Sequence, residues 1–359
     1  MKKFKGLIVT LLIGTSLISL SGCTSKEDKL INALAKTNTL HSFNYKANAN
    51  VKTNGETALN TKTPNEFSLE FNGKTVKKDK SLIKSETNIK LGTAGISTDF
   101  DLIQQISLGK NKSDFKILIK VPQMLKTELG SMLQNTDYIY VDSNGLKKLQ
   151  ELEKAKNLDS KPSTSIDTDK FAANAANIEK SLFLFIKEYT KKDGKGLIKY
   201  TGKNSVSING VDENLETYRV KINNEDLKKL LKAYVKDEKR VTELQDYLTA
   251  LSPEWSKENK KINSEDLNKK IDKMKNIFGK DGLVMDFAIK DGYIVQEKIS
   301  ADIITETDSI TFSINYDIFN INKNVEINFP NKEDVKYVDL VDMISMSNGK
   351  LDSSVPAGF

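Results

Sequence analysis

Between Ile310 and Ile318 the side chains alternate without a break. Ile310, Phe312, Ile314, Tyr316 and Ile318 are separated by Thr311, Ser313, Asn315 and Asp317. Successive side chains of a strand point to opposite faces, so this pattern sets large apolar groups on one face and polar groups on the other. A helix would scatter the same residues around its axis, and the apolar face demands a covering layer. The pattern recurs along the chain. Phe43, Tyr45, Ala47, Ala49 and Val51 alternate with polar residues, as do Phe67, Leu69 and Phe71. Phe115, Ile117, Ile119 and Val121 alternate up to Pro122, and Leu283, Met285, Phe287 and Ile289 do so near the C-terminal end. Residues 81 to 91, 96 to 108 and 138 to 141 are strand-compatible. Asp291-Gly292 reads as a two-residue hairpin turn, with Tyr293, Val295 and Ile299 on one face of the return strand; Asn54-Gly55 and Asn72-Gly73 read as further turns. Val325, Ile327 and Phe329 close the series at Pro330.

Helical periods interrupt the strands. Leu30, Ile31 and Leu34 predict a helix over 26–37, and residues 146 to 156 predict another. A polar stretch, 157–169, contains Pro162 and reads as a loop. Ile178, Leu182, Phe185 and Tyr189 share a helix face that ends at Asp193-Gly194-Lys195-Gly196. Shorter strand-like pieces cover 197–200, 206–208 and 215–222. Leu227, Leu230, Leu231, Tyr234 and Val235 then follow the i, i+3, i+4, i+7, i+8 pattern, and Val241, Leu244, Leu248 and Leu251 extend the stripe to Pro253. Ser264 is the expected N-cap of a helix carrying Leu267, Ile271, Met274 and Phe278, with Gly279 at its end. A last short helix is expected over 335–346. The order of elements predicts an α+β fold: a curved antiparallel sheet with helices packed across its concave face.

The N-terminus sets the address. Lys2, Lys3 and Lys5 precede an apolar run from Leu7 to Leu20, and Leu20-Ser21-Gly22-Cys23 follows. The run is short for a membrane span and ends in small residues, as a signal peptide does. This lipobox resembles that of bacterial lipoproteins. The resemblance implies diacylglycerol on the Cys23 thiol, cleavage after Gly22 and a mature chain tethered through residues 23–28 to the outer face of the cell membrane. Two acyl chains give lasting attachment. Cys23 is the only cysteine, so lipidation leaves no thiol for disulfides, metal ligation or nucleophilic catalysis. The chain carries a formal charge of +6, and the segment 1–22 holds three lysines and no acid. The mature balance is thus a mild +3, which gives no reason to expect a nucleic-acid partner. Only Arg219 and Arg240 are arginines, too few for bidentate reading of phosphates. The Lys, Asn and Ile bias fits an AT-rich, Gram-positive genome of the clostridial kind.

Taken together, the lipobox, the helix-then-strand opening from Leu30 to Val51 and the closing run from Asp281 to Pro330 resemble the LolA/LolB-type carriers and their LppX-type lipoprotein relatives. The resemblance implies an incomplete β-barrel with helices across its concave face, in one domain over 29–346. The chain departs from the family in length, with a helical insertion expected over about 143–280 and a flexible tail at 347–359. It also implies either of two roles. One is the binding of a lipid or other apolar ligand between sheet and helices. The other is a scaffold with a self-filled barrel that docks an envelope protein or a second copy of itself.

No catalytic constellation accompanies this pattern. His41 is the only histidine, and neither a nucleophile elbow nor a zinc or calcium motif is present. Gly194-Lys195-Gly196 lacks the spacing of a phosphate loop. The acidic pairs Glu225-Asp226 and Glu265-Asp266 fall at expected helix starts, where the helix dipole accounts for them. The expectation is a non-enzymatic protein without cofactor or metal. Its candidate cleft residues are Phe43, Tyr45, Phe67, Phe71, Phe287, Phe312 and Ile314. Trp255, the only tryptophan, reads as a packed helix end or an exposed docking residue.

Overall fold

The computed structural model describes residues 26–54, 66–78, 81–93, 96–108, 113–128, 130, 133–156, 178, 181–182, 184–194, 196–251, 263–304 and 309–348. The expected signal segment, Cys23, Gly55, the polar stretch 157–169 expected as a loop, and Trp255 lie outside these residues.

Among the described residues twelve strands form one open sheet. They are β1 (Ser42–Asn54), β2 (Glu66–Lys78), β3 (Leu82–Thr93), β4 (Ile96–Leu108), β5 (Ser113–Lys120), β6 (Tyr138–Asp142), β7 (Ile198–Ile208), β8 (Val211–Ile222), β9 (Phe278–Lys290), β10 (Tyr293–Ile304), β11 (Ser309–Phe319) and β12 (Tyr337–Asp339). The order is β12-β6-β5-β4-β3-β2-β1-β11-β10-β9-β8-β7. Every pairing is antiparallel except the short parallel one between β12 and β6. The expected α+β class and open antiparallel sheet with helices are what the chain adopts. At the centre β1 pairs with β11, joining segments some 270 residues apart: Tyr45 faces Ile318 and Val51 faces Phe312.

Because register is continuous, the two faces can be followed from strand to strand. One face carries the helices. Helix α1 (Lys26–Thr37) lies across β7, β9 and β10 and buries Leu30, Ile31 and Ala33 against Tyr218, Phe287 and Ile294. Its ends are fixed by the pair Lys29–Glu216 at 2.5 Å and by Thr37, whose hydroxyl accepts the Ile294 N–H at 2.8 Å. A second helical layer stands on the first. It comprises a helix over 184–192, α4 (Asn224–Val235), α5 (Glu238–Leu251) and α6 (Ser264–Asp272), packed around Phe185, Tyr234, Val241 and Ile271. Here α2 is Gln123–Glu128 and α3 is Ser143–Lys156. At the other end of the same face, α2 and α7 (Leu340–Asn348) pack Leu125, Leu340 and Met343 on Ile139 and Ile119.

The opposite face is crossed by the chain between β11 and β12. Asn322 N–H donates to the Ser42 carbonyl at 2.7 Å, Lys74 and Lys84 reach the carbonyls of Glu326 and Ile327, and the Asp137 N–H meets the Lys336 carbonyl at 2.8 Å. Val325, Ile327 and Phe329 therefore alternate in a strap, not in a strand. Only Ile327 among them is buried.

Several local expectations are corrected. Asn72-Gly73 is no turn but lies in mid-β2, opposite Asn88 and Thr87 of β3. The apolar stripe from Leu227 to Leu251 is broken into α4 and α5. Ser264 is not the N-cap of α6: Asn263 is, its side chain accepting the Asp266 N–H at 2.7 Å. That helix stops at Asp272, and Phe278 with Gly279 already belongs to β9. Asn224 makes the junction by accepting from the Ile277 and Phe278 N–H groups at 2.8 and 2.9 Å. The segment 335–346 contains β12 before α7 starts. Within 143–280 the expected strand-like pieces form β7 and β8, which extend the same sheet.

Two hairpins use left-handed turn residues. Asp291 and Gly292 have φ of 52° and 79°, as expected, and Asn209 and Gly210 repeat the geometry with 48° and 81°. Both suit the right-handed twist of the flanking strands. The register shift between Ile294 and Gln296 is a bulge that turns Val295 to the strap face, where it packs with Val206, Ile208 and Ala288. Val295 and Ile299 thus lie on opposite faces.

Candidate functional site

The register puts all seven candidate cleft residues on the helix face. Phe43, Tyr45, Ala47, Ala49 and Val51 of β1 pair with Thr75, Gly73, Phe71, Leu69 and Phe67 of β2. Phe71 faces Ile89 of β3, which faces Phe100 of β4. Burial then divides the seven. Phe287 and Phe312, 5% and 8% exposed, sit in the core beneath the helices, and Ile314 packs at its margin. Phe43, Tyr45 and Phe71 are half-buried, and Phe67 is 40% exposed.

The middle of this face is an apolar floor between two helical walls. Leu69, Phe71, Ile89, Leu91, Phe100 and Leu102 are all only partly buried. The wall on one side is α1 and the helices behind it; on the other it is α2 and α7. The strands β1 to β4 between them form a trough.

One polar line crosses the trough. Tyr45 lies over Gly73 and its hydroxyl meets that of Thr87, two strands away, at 2.6 Å. A Cβ on Gly73 would stand 2.7 Å from the Tyr45 Oη and 2.4 Å from the Glu86 carbonyl, so the missing side chain is what lets the ring lie flat. Tyr45 stands 6.0 Å from Tyr316, centroid to centroid, and Tyr316 is the register partner of Glu297. Burial pushes the Glu297 carboxyl up to about 7. It raises the Tyr316 hydroxyl as well, helped by the nearby Tyr45 and Glu297. Sequence reading missed Glu297. Its signal was a charged residue at an inward position of a strand, facing Phe287, but locating it required the bulge at Val295.

The strap face is different in kind. A concavity of about 520 Å³ is lined by Asn44, Asn72, Lys74, Glu86, Asp101 and Lys120. Its charges are already matched: Lys74 pairs with Glu86 at 2.8 Å and Lys120 with Asp101 at 3.4 Å. A second, of about 550 Å³, lies beside the β7–β8 turn, between Ile208, Val295 and Phe319. Next to it the buried Asp317 accepts from Gln296 at 2.8 Å and from the Asn209 N–H at 3.2 Å, which ties that turn down. These are structural networks whose charges are matched, although the buried Asn44 Oδ1 has no hydrogen-bond partner.

His41 is exposed and takes part through its backbone N–H, which donates to Asn322 at 3.0 Å. Among the described residues no group of three His, Cys, Asp or Glu side chains is placed to hold a metal ion. No described helix is long and apolar enough to cross a membrane.

Strand order, register and the two helical walls define an open-sheet α+β protein with an apolar trough on its helix-bearing face. Compared with known proteins, the chain matches no family model and no curated protein. Among solved structures, the crystal structure of LprF from Mycobacterium bovis aligns with 86% of this chain and 99% of that one, at 12% identity and a TM-score of 0.31. An overlap that loose carries no argument, and the fold assignment above rests on the strand pairings alone.

Proposed function

We propose that this chain is a non-enzymatic lipoprotein of the outer face of the cell membrane, anchored by diacylglycerol on Cys23, that receives the acyl part of a lipid in its trough. The observation that carries this reading is the incompletely covered floor: Val51, Phe67, Leu69, Phe71, Ile89 and Phe100 share one face and none is fully buried. Contiguous apolar surface of this kind marks a binding site in a soluble domain. An acyl chain laid along it removes apolar area from water at about 25 cal/mol per Å². The likeness of the lipobox and element order to the LolA/LolB and LppX-type lipoproteins supports the same reading.

The test is native mass spectrometry of the purified full chain, followed by organic extraction of whatever it carries. A reproducible lipid adduct that a Phe71→Asp variant of unchanged fold lacks is the expected result. A clean apo mass that incubation with membrane lipids leaves unaltered overturns it. The chain would then be a scaffold with a self-filled sheet, docking an envelope protein or a second copy of itself.

A further inference from the structure

The register draws one continuous row across the helix face: Tyr218, Phe287, Glu297, Tyr316, Ala47, Phe71, Ile89 and Phe100, from β8 to β4. Seven of these eight side chains are aromatic or aliphatic. The single carboxylate sits between Phe287 and Tyr316. Along its own strand, the flanking residues on that face are Ile294 and Ile299, both packed into the apolar core.

Among the described residues nothing answers this charge. No lysine or arginine pairs with Glu297, and neither its carboxylate nor the Tyr316 hydroxyl has a hydrogen-bond partner among the described residues. Three other acids of the sheet are matched where they stand: Glu216 by Lys29, Glu213 by Lys290 and Asp286 by Arg219. Both side chains remain partly open, and they lie where the uncovered floor meets the helix-covered core. With strands about 4.8 Å apart, Phe71 is three strands, or roughly 14 Å, from Glu297.

On the reading of the trough as an acyl site, we propose that Glu297 and Tyr316 form its head-group end and select an amphiphile whose head carries an ammonium group. The acyl chain runs over Ala47 and Phe71, and the ammonium donates to the Glu297 carboxylate and the Tyr316 hydroxyl. An isolated carboxylate in apolar surroundings is costly until a cation and its hydrogen bonds compensate it. The upward push on the carboxyl agrees with that unmet cost. An anionic head would meet repulsion at the same point. The whole chain carries +6, so a preference for a cation runs against its overall field and has to arise locally.

Equilibrium dialysis of the full chain against dodecylammonium, dodecanol and dodecanoate at pH 8, each below its aggregation threshold, tests this. The ammonium compound should bind on the order of tenfold more tightly than the alcohol, and dodecanoate more weakly than both. Glu297→Gln should abolish the preference, so that the ammonium compound binds no more tightly than the alcohol does to the same variant. Equal binding of ammonium and alcohol, or a preference that survives Glu297→Gln, overturns the head-group assignment while leaving the trough intact. Failure of all three ligands to bind refutes the trough, and the head-group assignment with it.

Discussion

Replacing Glu297 by glutamine turns the same carboxylate into a measurement of stability. Burial lifts its carboxyl from 4.5 to about 7 in the folded chain. At 1.36 kcal/mol per pH unit, that displacement is a penalty of about 3 kcal/mol on the ionised form. The folded state holds this proton more tightly than the unfolded state does. Below pH 4.5 the group is protonated in both states and the penalty is absent. It grows as pH rises from 4.5 to about 7 and is fully present above that. Glutamine has nearly the same shape and no charge, so Glu297→Gln should equal the parent at pH 4. At pH 8 it should exceed the parent by about 2–3 kcal/mol, the lower figure allowing for the solvent contact that Glu297 keeps. Urea midpoints of the two chains at intervals from pH 4 to 8 read this directly, because all other titrating groups cancel in the difference. A difference that does not change with pH would refute the reasoning. So would a variant weaker than the parent at pH 8, since the carboxylate would then be stabilised by a partner.

Other expectations follow from single contacts. Gly73→Ala should cost about 1–3 kcal/mol by displacing Tyr45 from Thr87, and in a double-mutant cycle with Tyr45→Phe the two losses should fall short of additive. Thr37→Val should cost about 1–3 kcal/mol in the same unfolding assay, because the buried Ile294 N–H loses its acceptor, whereas Thr37→Ser should keep most of the stability. Arg219→Ala should cost less than about 1 kcal/mol even though its two bonds to Asp286 are 2.6 and 2.8 Å, since the pair is exposed; a loss of several kcal/mol would show a packing role for the side chain.

Much of the sheet was legible because strand periodicity is local. The alternation at Phe43–Val51, Phe67–Phe71 and Ile310–Ile318 marks strands and assigns their apolar faces without knowledge of any neighbour. All seven candidate residues accordingly fall on one face. Alternation does not say whether a neighbouring backbone exists, so Val325, Ile327 and Phe329 could end as a strap. Dipeptide turn signals have the same weakness. Asp291-Gly292 turns because the strands on either side pair with each other, while Asn72-Gly73 stays extended because β1 and β3 hold it from both edges. Asn209-Gly210 carries the same signal as Asp291-Gly292 and was the legible hairpin left unread.

The sequence by itself determined most of the extended and helical segments and most of their apolar faces, since these depend on residues a few positions apart. It also carries Leu20-Ser21-Gly22-Cys23, on whose likeness to a lipobox the expected place of the chain at a membrane rests. Tertiary structure alone decided that β1 lies beside β11, that among the described residues helices wall both ends of one face and leave its middle only partly covered, and that the bulge at Val295 turns Glu297 inward next to Tyr316. Those outcomes are sums over contacts between distant segments. The environment of Glu297, built from β9, β10, β11 and the helix above them, has no counterpart in any local window of the chain, because desolvation is a property of everything that surrounds a charge.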